Sequence, residues 1–218
     1  MNQNTGVVAD LVRRATQGEL SALAELFARH RGRLRQMIRG RLDRRLRGRI
    51  DPSDVLQDAY VDLATKLPGY AGHPAVPIFL WLRLVVGERL LRIHRHHLGT
   101  AMRNAGREIS LHHGTFSEAS SASLAAQLIG QITSASRATL RTEMQALLQD
   151  AINGLDPFDR EVIALRHFEE LTNDEVARTL GLSKAAASKR YVRAMLRLKA
   201  VIRSTPGLGD HSSGEYGS

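Results

Sequence analysis

LTNDEVARTLGLSKAAASKRYVRAMLRLKAVI, residues 171–202, is the stretch whose reading decides the fold. Thr172 and Glu175 stand at the spacing of a capping box, so a helix starts at Asn173. Val176 and Leu180 lie four residues apart on one face of it, and Gly181 follows directly, where a left-handed residue reverses the chain. Leu182 is an apolar wedge, and Ser183 caps a second, longer helix. Cap, small residue at Ala177, glycine, wedge and second cap, in that order, make the helix-turn-helix plan. The second helix is expected to present Lys184, Ala185, Ser188, Lys189, Arg190 and Arg193 outward, with Ser183 at its start. Lys, Arg and Ser at those positions have the chemistry to donate to base edges or phosphates in a major groove. An ordinary helical hairpin with a solvated basic face is the plain rival, and the ordered run of caps and turn argues against it.

Upstream of that stretch, Asp156-Pro157 starts a helix by the cap-then-proline device. Leu140, Met144, Leu147 and Ala151 repeat at helical spacing until Gly154. Residues 99–136 change character to Gly, Ser, Thr and His, and read as a linker with room for a short helix around 124–132. The expected organisation is therefore all-α: a first domain over 7–98, a flexible linker over 99–136, a helix-turn-helix domain over 137–203 and a disordered tail over 204–218.

In the first domain, Val8, Leu11, Val12 and Ala15 fit one face, Leu20, Leu23, Ala24 and Phe27 repeat the spacing past Gly18, and Leu34, Ile38 and Leu42 continue it. Asp51-Pro52-Ser53-Asp54 is a sharp helix start. That helix is expected to stop at Pro68-Gly69. Asp54, Asp58 and Asp62 recur every fourth residue and form an acidic stripe, with Gln57 beside it and Val55, Ala59 and Leu63 facing inward. A later helix, about 78–97, starts with Phe79 and Trp81 and carries Arg83, Arg89, Arg92 and Arg95. Aromatic faces and arginines together fit opened or single-stranded DNA, and a core Trp81 with solvated arginines is the plain rival.

The charge is uneven. The chain carries a net +9, and residues 1–110 alone hold 19 Lys/Arg against 10 Asp/Glu, so the field that attracts a polyanion sits on the N-terminal half. Arg31 to Arg49 is its densest run. An acidic stripe inside that half would be repelled by phosphates, so it fits a basic protein surface or plain solvation. Cysteine is absent, which excludes disulfides, thiol nucleophiles and thiolate metal sites. His94, His96, His97, His112 and His113 lack the spacing and companions of a metal site, and neither metal nor other cofactor is expected. No apolar run reaches the roughly 18 residues of a membrane span, and the polar start carries no signal pattern, so a cytoplasmic protein is expected.

Two blocks, about 7–98 and 142–203, resemble the sigma factors of bacterial RNA polymerase of the extracytoplasmic-function (ECF) type. DPSDVLQDAY, residues 51–60, is similar to that family's D-x-x-D-x-x-Q-x-x-(F/Y) helix. The resemblance assigns docking on the clamp helices of the polymerase β′ subunit to Asp51, Asp54, Gln57 and Asp58. It puts a minus-ten base pocket at Tyr70, Gly72 and His73 and contact with melted promoter DNA at Trp81, and the reading of the same helix as aromatic and basic adds Arg83, Arg92 and Arg95 to that contact. LDPFDREVIALRHFEELTNDEVARTLGLS, residues 155–183, closely resembles the family's C-terminal pattern. It implies minus-thirty-five reading by the second helix and a β-flap contact, and it admits an anti-sigma protein as a further partner. The family's usual Asn and Asp are replaced by Glu88 and Arg92, whose spacing permits an i,i+4 ion pair, and Ala187 stands where a larger branched residue is common.

Two rival functions follow from the same residues. A repressor or activator would use the helix-turn-helix without joining polymerase. A DNA-processing enzyme would need clustered catalytic groups, and Asp54 and Asp62 lie roughly 12 Å apart by helix rise, too far for one metal. The reading is of a non-enzymatic initiation factor.

Overall fold

The computed structural model describes residues 3–70, 76–98, 138–167 and 169–204, with 121–122, 124–126 and 128–129. All regular structure among the described residues is helical. The chain divides into two compact units, Met1–His112 and His113–Ser218.

The first unit contains α1 (Gln3–Thr16), α2 (Leu20–Arg41), α3 (Pro52–Tyr70) and α4 (Ile78–Leu98), with a 3-10 turn at Arg44–Leu46. Helix α2 packs on α1, α3 and α4, and α3 on α4. Gly18, at φ +94°, supplies the left-handed residue between α1 and α2. The inward face of α2 is Ala22, Leu23 and Leu26, continuing to Leu34 and Ile38. Leu20, at 66 % exposure, and Ala24 lie outside, so the apolar stripe is displaced from the expected one. Leu23 and Leu26 keep the helical spacing, and Ala22 takes the inward place that Ala24 was expected to hold.

Asp51 starts α3 as expected, its carboxylate accepting the Ser53 N–H at 2.6 Å. Val55, Ala59 and Leu63 are buried, as expected for the inner face. The stop is different. Pro68 lies inside α3, which runs on to Tyr70. A proline in the last turn removes one backbone bond but leaves the following residues free to pack. Tyr70 is buried, its ring 5.2 Å from that of Trp81, and its hydroxyl donates to the Val76 carbonyl at 2.6 Å. That anchoring holds the extra turn.

The second unit contains α5 (Ala138–Asn153), α6 (Pro157–His167), α7 (Asn173–Leu180) and α8 (Lys184–Ser204). Its core joins Met144, Leu148 and Ile152 of α5 to Ile163 and Ala164 of α6 and to Ala194 and Leu198 of α8. Leu147 is 42 % exposed, one position off the inward stripe. Leu124, Ala125, Leu128 and Ile129 belong to the same core. They fall within the stretch read as linker, so its apolar part is a packed piece of the second unit. The signal was available: four apolar residues at helical spacing inside a Ser-rich surround. Helix α8 reaches Ser204, where the tail was expected to begin; residues 205–218 lie outside the described ones.

Candidate nucleic-acid and polymerase interfaces

Helices α7 and α8 carry the first candidate interface. Thr172 accepts the Glu175 N–H at 3.3 Å and Glu175 accepts the Thr172 N–H at 2.8 Å, so both halves of the capping box are formed. Gly181 takes φ +63° and ψ +30°, the left-handed cap that the sequence required. Ser183 accepts the Ala186 N–H at 3.1 Å and starts α8. Ala177 and Ala187 are buried, and small residues there let the two helices approach. A bond the sequence did not disclose ties the helices at the turn: the Asn173 amide donates to the Lys184 carbonyl at 2.9 Å.

Ser183, Lys184, Ala185, Ser188 and Lys189 are exposed on α8. Lys184 meets Asp174 at 2.7 Å, and that ammonium holds the Asp174 carboxyl below its ordinary range. Arg190 and Arg193 are committed elsewhere. Both bond Asp159 of α6, a carboxylate with no exposed surface: Arg190 at 2.7 Å, Arg193 through two nitrogens at 2.9 to 3.1 Å. Arg190 also reaches Asp156 at 3.2 Å. Burial pushes the Asp159 carboxyl up, and the guanidiniums of Arg193 and Arg190 outweigh it, leaving it lowered. Of the four cations expected to face DNA, Lys189 is the one without an acidic partner among the described residues.

The second candidate interface lies on α3. Asp51, Asp54, Gln57 and Asp58 are exposed along it. The Ser53 N–H lowers the Asp51 carboxyl, with Arg35 and Arg39 adding a weaker pull. The acidic stripe ends there. Asp62 is half-buried and turned to α4, accepting two bonds from Arg89 at 2.7 and 2.9 Å and one from Arg92. The expected Glu88–Arg92 pair is not what forms: Glu88 pairs with Lys66 of α3 and Arg92 with Asp62. Tertiary partners at fixed positions win over the neighbour one turn away, because α3 and α4 pack along each other.

The minus-ten residues divide. Trp81 is half-buried, and Arg92 and Arg95 are exposed. Arg83, at 4 % exposure, and Tyr70, at 6 %, are interior and do not offer their side chains at the surface. Residues on a helix that packs on two others alternate inward and outward at spacings of three and four, and Arg83 falls on the inward side with Phe79 and Val86. Gly72 and His73 lie outside the described residues. His94, weighed in the sequence only as a metal ligand or a surface histidine, is instead buried and accepts the Asp43 N–H at 3.2 Å through Nε2. No group of three or more His, Asp or Glu with the geometry of a metal site occurs among the described residues. No helix among them is long and apolar enough to cross a membrane.

Fold and surface together define an all-α helix-turn-helix protein. Residues 151–200 match the family described as sigma-70, region 4. The RNA polymerase sigma-E factor of Streptomyces antibioticus is 40 % identical over 55 residues, which is 25 % of this chain and 31 % of that factor. The chain thus spans about a third of the length of that curated relative. The RNA polymerase sigma factor NccH of Alcaligenes xylosoxydans xylosoxydans is 27 % identical over 198 residues, 89 % of this chain and 94 % of NccH. Among solved structures, CnrH in complex with the cytosolic domain of CnrY has the same fold, at a TM-score of 0.52 and 23 % identity over 89 % of this chain and 96 % of CnrH. On these matches residues 151–200, in the second unit, carry a sigma-70 region 4 segment, and the chain as a whole is similar to RNA polymerase sigma factors.

Proposed function

We propose that this chain joins core RNA polymerase and directs it to promoters, without catalytic chemistry of its own and in the cytoplasm. The observation that carries the reading is the fully formed helix-turn-helix of α7 and α8 within the region 4 match. In this reading α8 reads the minus-thirty-five element through Ser183, Lys184, Ala185, Ser188 and Lys189. The exposed Asp51, Asp54, Gln57 and Asp58 of α3 meet the basic β′ clamp helices, and the second unit also meets the β flap. Trp81, Arg92 and Arg95 contact opened minus-ten DNA, with Gly72 and His73 completing that contact. The basic first unit attracts phosphate at long range, and tethering raises the effective concentration of the second. CnrH is bound to a cytosolic domain of another protein, CnrY. An anti-sigma protein that binds this chain is part of the proposal here.

The test mixes the purified chain with core polymerase and measures complex formation and promoter-dependent transcription. The double variant Asp54→Lys, Asp58→Lys is expected to lose polymerase binding at least tenfold while keeping its affinity for isolated duplex DNA. A variant that still binds polymerase and supports transcription would sink the assignment, and a repressor that acts without polymerase would behave in that way.

A further inference from the structure

Asp156, Asp159, Arg190 and Arg193 together carry two negative and two positive charges, and they close on one another between α6 and α8. Asp159 is wholly buried, so its charge is held there only because the two guanidiniums neutralise it. The planar forks of the arginines give the carboxylate both its charge balance and its full set of bonds. Releasing either arginine to a phosphate would leave part of that buried carboxylate uncompensated. We infer that Asp159 is a positioning residue for the DNA-reading helix: it withholds Arg190 and Arg193 from DNA and fixes α8 against α6, so that contact falls to the exposed face of Ser183, Lys184, Ala185, Ser188 and Lys189. This rests on the proposal that the second unit binds promoter DNA and narrows which of its residues do so.

A cation already neutralised by a protein carboxylate displaces no counterion from DNA, whereas an unpaired lysine does. The slope of log affinity against log salt therefore separates the two roles. The probe is a 30-base-pair mixed-sequence duplex, titrated with the full-length chain at several KCl concentrations. K189A is expected to flatten the slope by about 1. R193Q is expected to leave it unchanged within a few tenths, and Arg190 still pairs Asp159 in that variant, which protects the fold. D159N is expected to steepen the slope by about 1, because the released arginines become available to phosphate. A slope flattened by R193Q as much as by K189A would overturn the inference, whether or not D159N folds. If D159N folds, as judged by its helical circular dichroism, an unchanged slope for it would overturn the inference as well. A wild-type chain that shows no salt-dependent binding would instead overturn the DNA reading itself, and this assignment with it.

Discussion

The imidazole of His94 accepts a backbone N–H from the turn after α2, so its Nε2 must be unprotonated to hold that turn to α4. Burial is the main cause that lowers its pKa below the ordinary 6.5; the Asp43 carboxylate pulls it up and Arg45 pushes it down. A His with a lowered folded pKa contributes stability that is fully present above the unfolded value. That contribution is lost as pH falls through the folded value. Exchange of the Asp43 amide proton should therefore accelerate as pH is lowered from about 7.5 to 5, after correction for intrinsic exchange. In His94→Leu it should be fast at both ends, and an Asp43 amide equally protected at both pH values in the wild type would refute the role. The residue scale is also where the sequence was least legible. Arg83 and Arg92 look alike in a string of letters, yet one is interior and the other exposed. Asp159 looks like an ordinary first-turn acid, and its partners lie 31 and 34 residues away.

At the scale of the element, local chemistry was legible wherever the signal is itself local. The capping box at Thr172, the left-handed Gly181 and the cap-then-proline starts at Asp51 and Asp156 all formed at the positions read from the sequence. Each depends on residues two to four apart, so no long-range fact is needed to place it. The stop at Pro68 and the inward stripes of α2 and α5 went differently, because packing decided them. Gly181 offers a clean test of the turn. A Cβ there meets no atom within 4 Å, so Gly181→Ala would suffer only the backbone strain of φ +63°. The expected loss is about 1 kcal/mol, read from thermal or denaturant unfolding. Thr172→Ala, which removes the capping side chain, should lose about 1 kcal/mol as well. A loss of several kcal/mol at Gly181 would mean that the turn is packed more tightly than the structure shows.

At the scale of the whole molecule, two cores matter more than the net charge. Each unit buries its own leucines, and the second recruits Leu124 and Leu128 from the Ser-rich stretch that separates the helical blocks. Composition suggested a linker there because polar residues outnumber apolar ones, while the spacing of the few apolar residues is what placed them in the core. Leu148 is fully buried at the centre of that core. Leu148→Ala should destabilise the second unit by about 2 to 5 kcal/mol. Protection of the Asp43 amide in the first unit should stay unchanged in the same sample. Equal loss of protection in both units would show that they unfold as one.

The ring of charge around Asp159 bears on how long the molecule stays where it lands. In the proposed role, the four cations expected to face DNA (Lys184, Lys189, Arg190 and Arg193) include one, Lys189, without an acidic partner among the described residues, so few contacts have to break, and differences in affinity between related complexes lie mostly in dissociation. Such a unit comes off duplex DNA quickly once nothing else holds it there. In the proposed initiation factor that is an advantage: the upstream grip has to be surrendered when the enzyme moves off, and a grip whose Arg190 and Arg193 are held by Asp159 is quick to let go.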